Sequence, residues 1–313
     1  RAACECGNEA GGSIEDVTAG ALNSIAGTRL TLNRHRGIDH FLDVALFQSA
    51  ISRKTLDAMF EAIYDRIDIP KSILELKAKS MGREKIAWYD LGAPLDIESG
   101  DKLDWKKAKE LVGNAFSLSY PSLGDFVQKV FDKEWVDWEP RDGKRPGGFC
   151  TGSLLTKESR IFMTFNETIG DVLTLAHEAG HAYHSYIMKE IRPYAHNYPM
   201  TLAESASTFG EMILAEGILS SPEIDDREKA LMLDTEINHG AIYLMDIPVR
   251  YEFEKAFYEE RQESDVSVSR LKNLMSGTQK RLFGELLEEG GEDPYFWASK
   301  LHFYITGVTF YNF

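Results

Sequence analysis

Residues 169–187 read Ile169-Gly-Asp-Val-Leu-Thr-Leu-Ala-His177-Glu178-Ala-Gly-His181-Ala-Tyr-His184-Ser-Tyr-Ile187, a helical stretch that contains an H-E-x-x-H motif. On a helix, positions 177 and 181 lie about 40° apart around the axis and roughly 6 Å apart along it, so the two imidazoles can share one tetrahedral ion. Glu178 is rotated by about 100° from His177. It flanks the ion instead of facing it squarely, which suits a base acting on a metal-bound water. The plainer reading, two helical histidines with ordinary partners, leaves Glu178 in that register unexplained.

Zinc held by two imidazoles needs a third protein ligand, with the fourth place left to water or substrate. The next helical stretch, residues 201–219, carries Glu204 and Glu211 seven positions apart and therefore on one face. Glu204 lies 27 residues beyond His177. That distance lets the first helix end, a loop containing Arg192-Pro193 and Tyr198-Pro199 reverse the chain, and a second helix pack back across the ion. Glu204 as a solvated helix residue is the alternative. Its neighbours Leu202, Ala203, Ala206 and Phe209 are small or apolar and predict burial, where an unpaired carboxylate is costly. His177, His181 and Glu204 are thus the expected ligands of one Zn2+ per chain. Glu211 is expected to hold an imidazole N–H, outside the ligand set. His184, about 10 Å along the face from His177, is too far away to join the same ion and is expected to pack or hydrogen-bond.

Helical periodicity dominates the rest of the chain. In residues 54–67, Leu56, Met59, Phe60, Ile63, Tyr64 and Ile67 recur at three- and four-residue steps, opened by Ser52 and stopped before Pro70. Similar patterns run through 104–116, 123–131, 227–243, 249–261 and 269–287, with prolines between or near them. Two short extended segments, 147–151 and 160–166, precede the zinc helix. The fold class is therefore mainly α, with a small β element at about 147–166. The turn-rich loop 141–148 lacks the glycine spacing of a phosphate cradle and reads as a solvated turn. One catalytic domain is expected to cover 1–313, as a helical part (1–140), the β element with the zinc helices (141–219), and a C-terminal helical part (220–313).

Composition narrows the partners. The chain has 313 residues, with 35 Lys+Arg against 50 Asp+Glu, a net charge of −15. Such a field repels a phosphate backbone, so nucleic acid is not an expected partner. No stretch approaches the roughly 18 consecutive apolar residues of a membrane span, and the mean hydropathy is −0.30. Cys4, Cys6 and Cys150 make no disulfide framework. Together with the lack of a basic-then-apolar leader, this gives a cytoplasmic location as the expectation. Residues 294–313 carry eight aromatics and stop on Phe-Tyr-Asn-Phe, so the sequence reads as a fragment cut inside a packed element.

His177-Glu-Ala-Gly-His181-Ala-Tyr-His184-Ser-Tyr, followed by Thr201-Leu-Ala-Glu204-Ser-Ala-Ser-Thr, resembles the zinc site of the oligoendopeptidase F family, relatives of thimet oligopeptidase. Gly27-Thr-Arg-Leu-Thr-Leu32, Gly143-Lys-Arg-Pro-Gly-Gly-Phe149 and His302-Phe-Tyr304 look like further segments of that family in the same order. The resemblance implies a largely helical, zincin-type metallopeptidase whose deep channel admits short peptides and excludes folded proteins. It implies His177, His181 and Glu204 as zinc ligands and Glu178 as general base. It also places His302, Tyr304 and Tyr311 in the aromatic segment that lines the site and assists the tetrahedral intermediate. Family members are longer on both sides. Carboxypeptidases and dipeptidyl carboxypeptidases use the same triad, so exopeptidase action stays open, as does a zinc- and peptide-binding fragment without turnover. The oligomeric state is left open.

Overall fold

The computed structural model describes residues 2–93, 103–145, 147–306 and 310, apart from the side chains of Ala3, Cys4 and Met200. Most expected helices form with their caps in place. Helix α1 (Ala2–His35) is followed by α2 (Asp43–Ser49) and α3 (Arg53–Asp65), where the Ser52 hydroxyl accepts the Thr55 N–H at 3.0 Å. Pro70 does not act as the expected stop. The chain turns at Arg66–Ile67, and Pro70 sits buried in the first turn of α4 (Asp68–Ser80), where a missing N–H costs no helical hydrogen bond. Helices α5 (Trp105–Ser119) and α6 (Pro121–Asp132) follow, α5 capped by the Asp104 carboxylate at 2.7 Å from the Lys107 N–H.

Three strands come next: β1 (Val136–Asp137), β2 (Gly148–Ser153) and β3 (Glu158–Met163), in the order β1-β3-β2. β1 runs parallel and β2 antiparallel to β3, with Cys150 opposite Ile161. The loop before β2 is a turn tied back to β1: Arg141 and Lys144 both bond to Asp137, and Gly143 takes φ +79°. The second extended segment, expected over 160–166, lies between its two neighbours and presents no free edge. The exposed strand is β2.

Helix α7 (Ile169–Met188) opens with a reciprocal cap between Thr168 and Asp171, and α8 (Met200–Ser220) packs against it. Helices α9 (Asp226–Ala241), α10 (Ile247–Arg261) and α11 (Val268–Phe283) complete the main elements, with a π-helical segment at Ile242–Asp246 between α9 and α10.

The chain divides into two compact units, Arg1–Asp96 with Ile237–Phe313, and Ile97–Glu236. The boundaries between these two units fall at 96/97 and 236/237. The first unit centres on Leu22, Phe60, Phe253, Phe257, Phe283 and Trp297. In the second, Val172, Leu175, Ala176 and Ala179 of α7 are buried with Ile161 and Met163 of β3, Phe116 of α5 and Leu214 of α8. Burying a large apolar side chain contributes about 1.5–3 kcal/mol, so this core holds α7 firmly against sheet and helices. No helix among the described residues is long and apolar enough to cross a membrane.

Candidate metal centre

The second unit assembles the centre from two helices whose backbones nearly touch. A Cβ on Gly180 of α7 would lie 2.4 Å from the Ala206 carbonyl oxygen, and one on Gly210 of α8 would lie 2.6 Å from the Ala176 carbonyl oxygen. Any side chain at either position would force the helices apart. The crossing brings Glu204 over the histidine pair, with Glu204 Oε2 3.2 Å from His177 Nε2 and 3.3 Å from His181 Nε2. One donor atom from each of the three residues lies within 4.8 Å of the others.

Those separations can be tested against the ion. Ligand atoms about 2.0–2.1 Å from a tetrahedral zinc are about 3.3 Å from one another. Both Glu204–His distances match that edge, and all three donor atoms lie within 4.8 Å of one another, a spacing that three corners of such a site can take. The residues present therefore fit zinc.

The surroundings orient these donors. Glu211, buried on the same face of α8, hydrogen-bonds His177 Nδ1 as expected, which leaves Nε2 directed at Glu204. The Ser207 hydroxyl donates to Glu204 Oε2 at 2.7 Å. Glu204 itself is not buried as its neighbours suggested: its side chain is 57% exposed, and Leu202 and Phe209 are exposed as well. The imidazoles and Ser207, not an apolar enclosure, fix its position. Burial lowers the His177 pKa, but Glu204 and Glu211 outweigh it and raise the ring to about 10 when no ion is present. The same imidazoles hold the Glu204 carboxyl far below the usual carboxylate range.

Glu178 is buried beside the pair, and its Oε2 has no hydrogen-bond partner among the described residues. Burial raises its pKa; His177 and His181 oppose that shift, while Glu204 and Glu211 add to it. The backbone of β2 comes close enough that a Cβ on Gly148 would sit 3.1 Å from Glu178 Oε1. Glycine at 148 therefore lets a strand pass over the carboxylate. His184 packs on Tyr198 with ring centroids 4.7 Å apart and takes no part in the triad. Cys150 on β2 is half-buried; burial, then Glu178, push its thiol up to about 12, so it stays protonated at neutral pH.

His302 and Tyr304 belong to the other unit, and Tyr311 lies outside the described residues. His302 sits in a short 3-10 helix, Leu301–Tyr304, where burial, with help from Lys300 and Arg250, lowers its pKa to about 4. Tyr304 packs against that unit's core, and burial raises its pKa against a smaller opposing effect of the Thr18 hydroxyl. Sequence reasoning overlooked Gly148, Gly180 and Gly210, although a glycine inside each of two adjacent amphipathic helices is a signal of close crossing.

A mainly helical chain with a small sheet beside an H-E-x-x-H helix, and a carboxylate delivered from the next helix, has the architecture of a zincin-type peptidase fold. The profile of peptidase family M3 matches residues 114–313, and the chain belongs to that family. It is 32% identical over 288 residues to the plasmid oligoendopeptidase F of Lactococcus lactis subsp. cremoris, covering 89% of this chain and 45% of that protein. It is 31% identical over 287 residues to an oligoendopeptidase F homolog of Lactococcus lactis subsp. lactis, with the same coverage. Its fold is shared with oligoendopeptidase-F from Enterococcus faecium, at a TM-score of 0.69 and 19% identity over 99% of this chain and 49% of that one. The chain spans about half the length of the curated relatives it matches.

Proposed function

We propose that this chain carries the zinc centre of a metalloendopeptidase that hydrolyses short oligopeptides, and that both compact units are parts of one catalytic domain. The observation that supports this most is the placement of Glu204 Oε2 at a tetrahedral edge from both imidazoles, with the unpartnered Glu178 carboxylate beside them. His177, His181 and Glu204 would hold the ion. Bound there, zinc supplies Lewis acidity and lowers the pKa of a water from 15.7 toward about 7.

This chain's own groups do the rest. Glu178 accepts the proton of the attacking water and passes it to the leaving amine. Its raised pKa fits a group that must hold a proton between those two transfers. Glu211 keeps the His177 ring in the orientation the centre needs. The exposed β2, running from Glu178 outward, offers backbone N–H and C=O groups to an extended peptide, which gives affinity without demanding one sequence. His302 and Tyr304, with Tyr311, are the proposed donors to the tetrahedral intermediate. The reading includes a cytoplasmic location, and peptides instead of nucleic acid as partners.

The test is Glu178→Gln. The amide is nearly isosteric but cannot take the water's proton, so zinc content should stay near one per chain while kcat/KM falls by about 10²- to 10⁴-fold. Near-normal turnover in that variant would remove Glu178 from the reaction. Peptides blocked at both ends separate the endopeptidase from a carboxypeptidase, which needs a free C-terminus.

A further inference from the structure

Strand β2 is an outer strand of the sheet, and all its residues except Cys150 are exposed. It crosses α7 from one end of the proposed reaction site to a separate cavity. At Gly148 it passes Thr174 and Glu178, and at Gly152 a Cβ would lie 3.7 Å from the Ser185 hydroxyl oxygen. Seven residues of helix between Glu178 and Ser185 are about 10 Å of axis. Four residues of strand are about 13 Å. A peptide paired with β2 therefore reaches Ser185 about four residues from the bond held at Glu178.

At that distance lies a cavity of about 220 Å3 lined by, among others, Ser153, Lys157, Glu158, Ser185, Lys189 and His196. This is room for one side chain, in a setting of hydroxyls and charge. Its charges are paired except one. Lys157 bonds Glu190 at 3.1 Å, and Arg160 bonds Glu158 at 2.9 Å. His196 Nε2 lies 3.3 Å from the Ile191 carbonyl oxygen. Lys189, half-buried at the end of α7, lies 3.8 Å from the centroid of the Tyr186 ring and has no carboxylate partner among the described residues. The cavity thus holds one surplus positive charge although the whole chain carries −15.

We propose that this cavity is a specificity subsite for an acidic side chain, with Lys189 as its counter-charge. Antiparallel pairing is the more stable kind, and it directs the N-terminal part of the peptide toward Ser153. The preferred substrate then carries Asp or Glu about four residues before the cleaved bond. This inference rests on the peptidase reading above.

Peptides ending in a C-terminal hydroxamate, a zinc chelator, test it without needing turnover. In the zinc-loaded protein, fluorescence anisotropy would compare an all-Gln series in which a single Glu is moved through positions two to six from the hydroxamate. Glu at position four should bind about fivefold more tightly than Gln, the size of a partly screened ion pair. Lys189→Gln should erase that gain and leave the all-Gln peptide unchanged. A flat profile, or a gain that survives Lys189→Gln, overturns the subsite. If hydroxamates bind no better than the matching carboxamides, the zinc reading fails first and takes the subsite with it.

Discussion

Replacing Gly180 by alanine adds one methyl group at the tightest point of the centre. The new Cβ would lie 2.4 Å from the Ala206 carbonyl oxygen and 2.9 Å from Ser207 Cα, where ordinary contact begins near 3.4 Å. Both obstacles are backbone, so no side-chain rotation relieves them, and α7 and α8 must part by about 1 Å. Overpacking of this kind costs about 1–3 kcal/mol, and backbone obstacles point to the upper half. The effect on the ion should be of comparable size, since tenfold in affinity is about 1.4 kcal/mol. Zinc ligands tolerate only about 0.2 Å of displacement, and Glu204 rides on the helix that moves. Zinc affinity should fall at least as far as when a supporting partner is lost, about 10- to 100-fold. Competition with a chromogenic chelator measures that affinity, and thermal unfolding in EDTA measures the fold alone. Gly113→Ala on α5 is the control, because nothing lies within 4 Å of its Cβ; it should stabilise by about 0.5–1 kcal/mol. A Gly180→Ala protein that keeps its zinc affinity within twofold and its metal-free Tm would refute the idea that helix contact sets the ligand geometry.

Glu211→Gln should weaken zinc binding by about 10- to 100-fold, since it removes the carboxylate that orients His177, and should also lower the metal-free Tm, because without the ion Glu211 helps hold that ring protonated; unchanged chelator competition would reduce Glu211 to packing. His302 should make stability pH-dependent: its folded pKa is about 4, below the unfolded value of about 6.5, so the unfolded chain binds the extra proton between those values. Stability from this group is then present at neutral pH and lost as pH falls, by about 1 kcal/mol from pH 7 to 5 after allowing for solvent screening of a half-exposed ring. Urea unfolding of His302→Gln at both pH values should show the smaller drop; identical drops would show that His302 titrates normally. Tyr304→Phe in the complete enzyme should lower kcat with zinc content and Tm intact, whereas a lower Tm at unchanged kcat would make that hydroxyl part of the core.

How much of this was legible depends on whether the information was local. The histidine pair and Glu178 sit within five residues, where helix geometry alone fixes their relative directions. The caps at Ser52 and Asp104 are local too, and those helices start where the sequence indicates. Helix α1 was not legible, because Gly11, Gly12, Gly20 and Gly27 each disfavour a helix by about 1 kcal/mol and its buried face uses small residues such as Ala19 and Ala26. Tertiary contact overrides that preference: Tyr295 packs on Gly11 and Gly12, and Arg29 donates to the Tyr258 hydroxyl at 2.8 Å. The order of the three strands was equally hidden, since pairing is a choice among distant segments and both β2 and β3 are short.

The same division explains why the sequence singles out Glu204 as a candidate while its neighbours mislead about its burial. Its proposed ligand role follows from chemistry, since two imidazoles sharing an ion need a third donor and the next helix brings a carboxylate to them. Its exposure does not follow from its neighbours, because Leu202 and Phe209 are open on the same helix. Glu178 is the opposite case. It is 5% exposed with one oxygen unpartnered, a condition that costs stability and that Glu211, equally buried, avoids by bonding His177. Two buried carboxylates of one centre thus receive opposite treatment. One is satisfied, and holds a ligand in place. The other keeps one oxygen without a hydrogen-bond partner among the described residues and has a raised pKa beside the two imidazoles, which suits the base role proposed for it above. A core position selected for stability alone would hold an apolar residue there. On the reading proposed above, the chemistry at the centre is what that position serves.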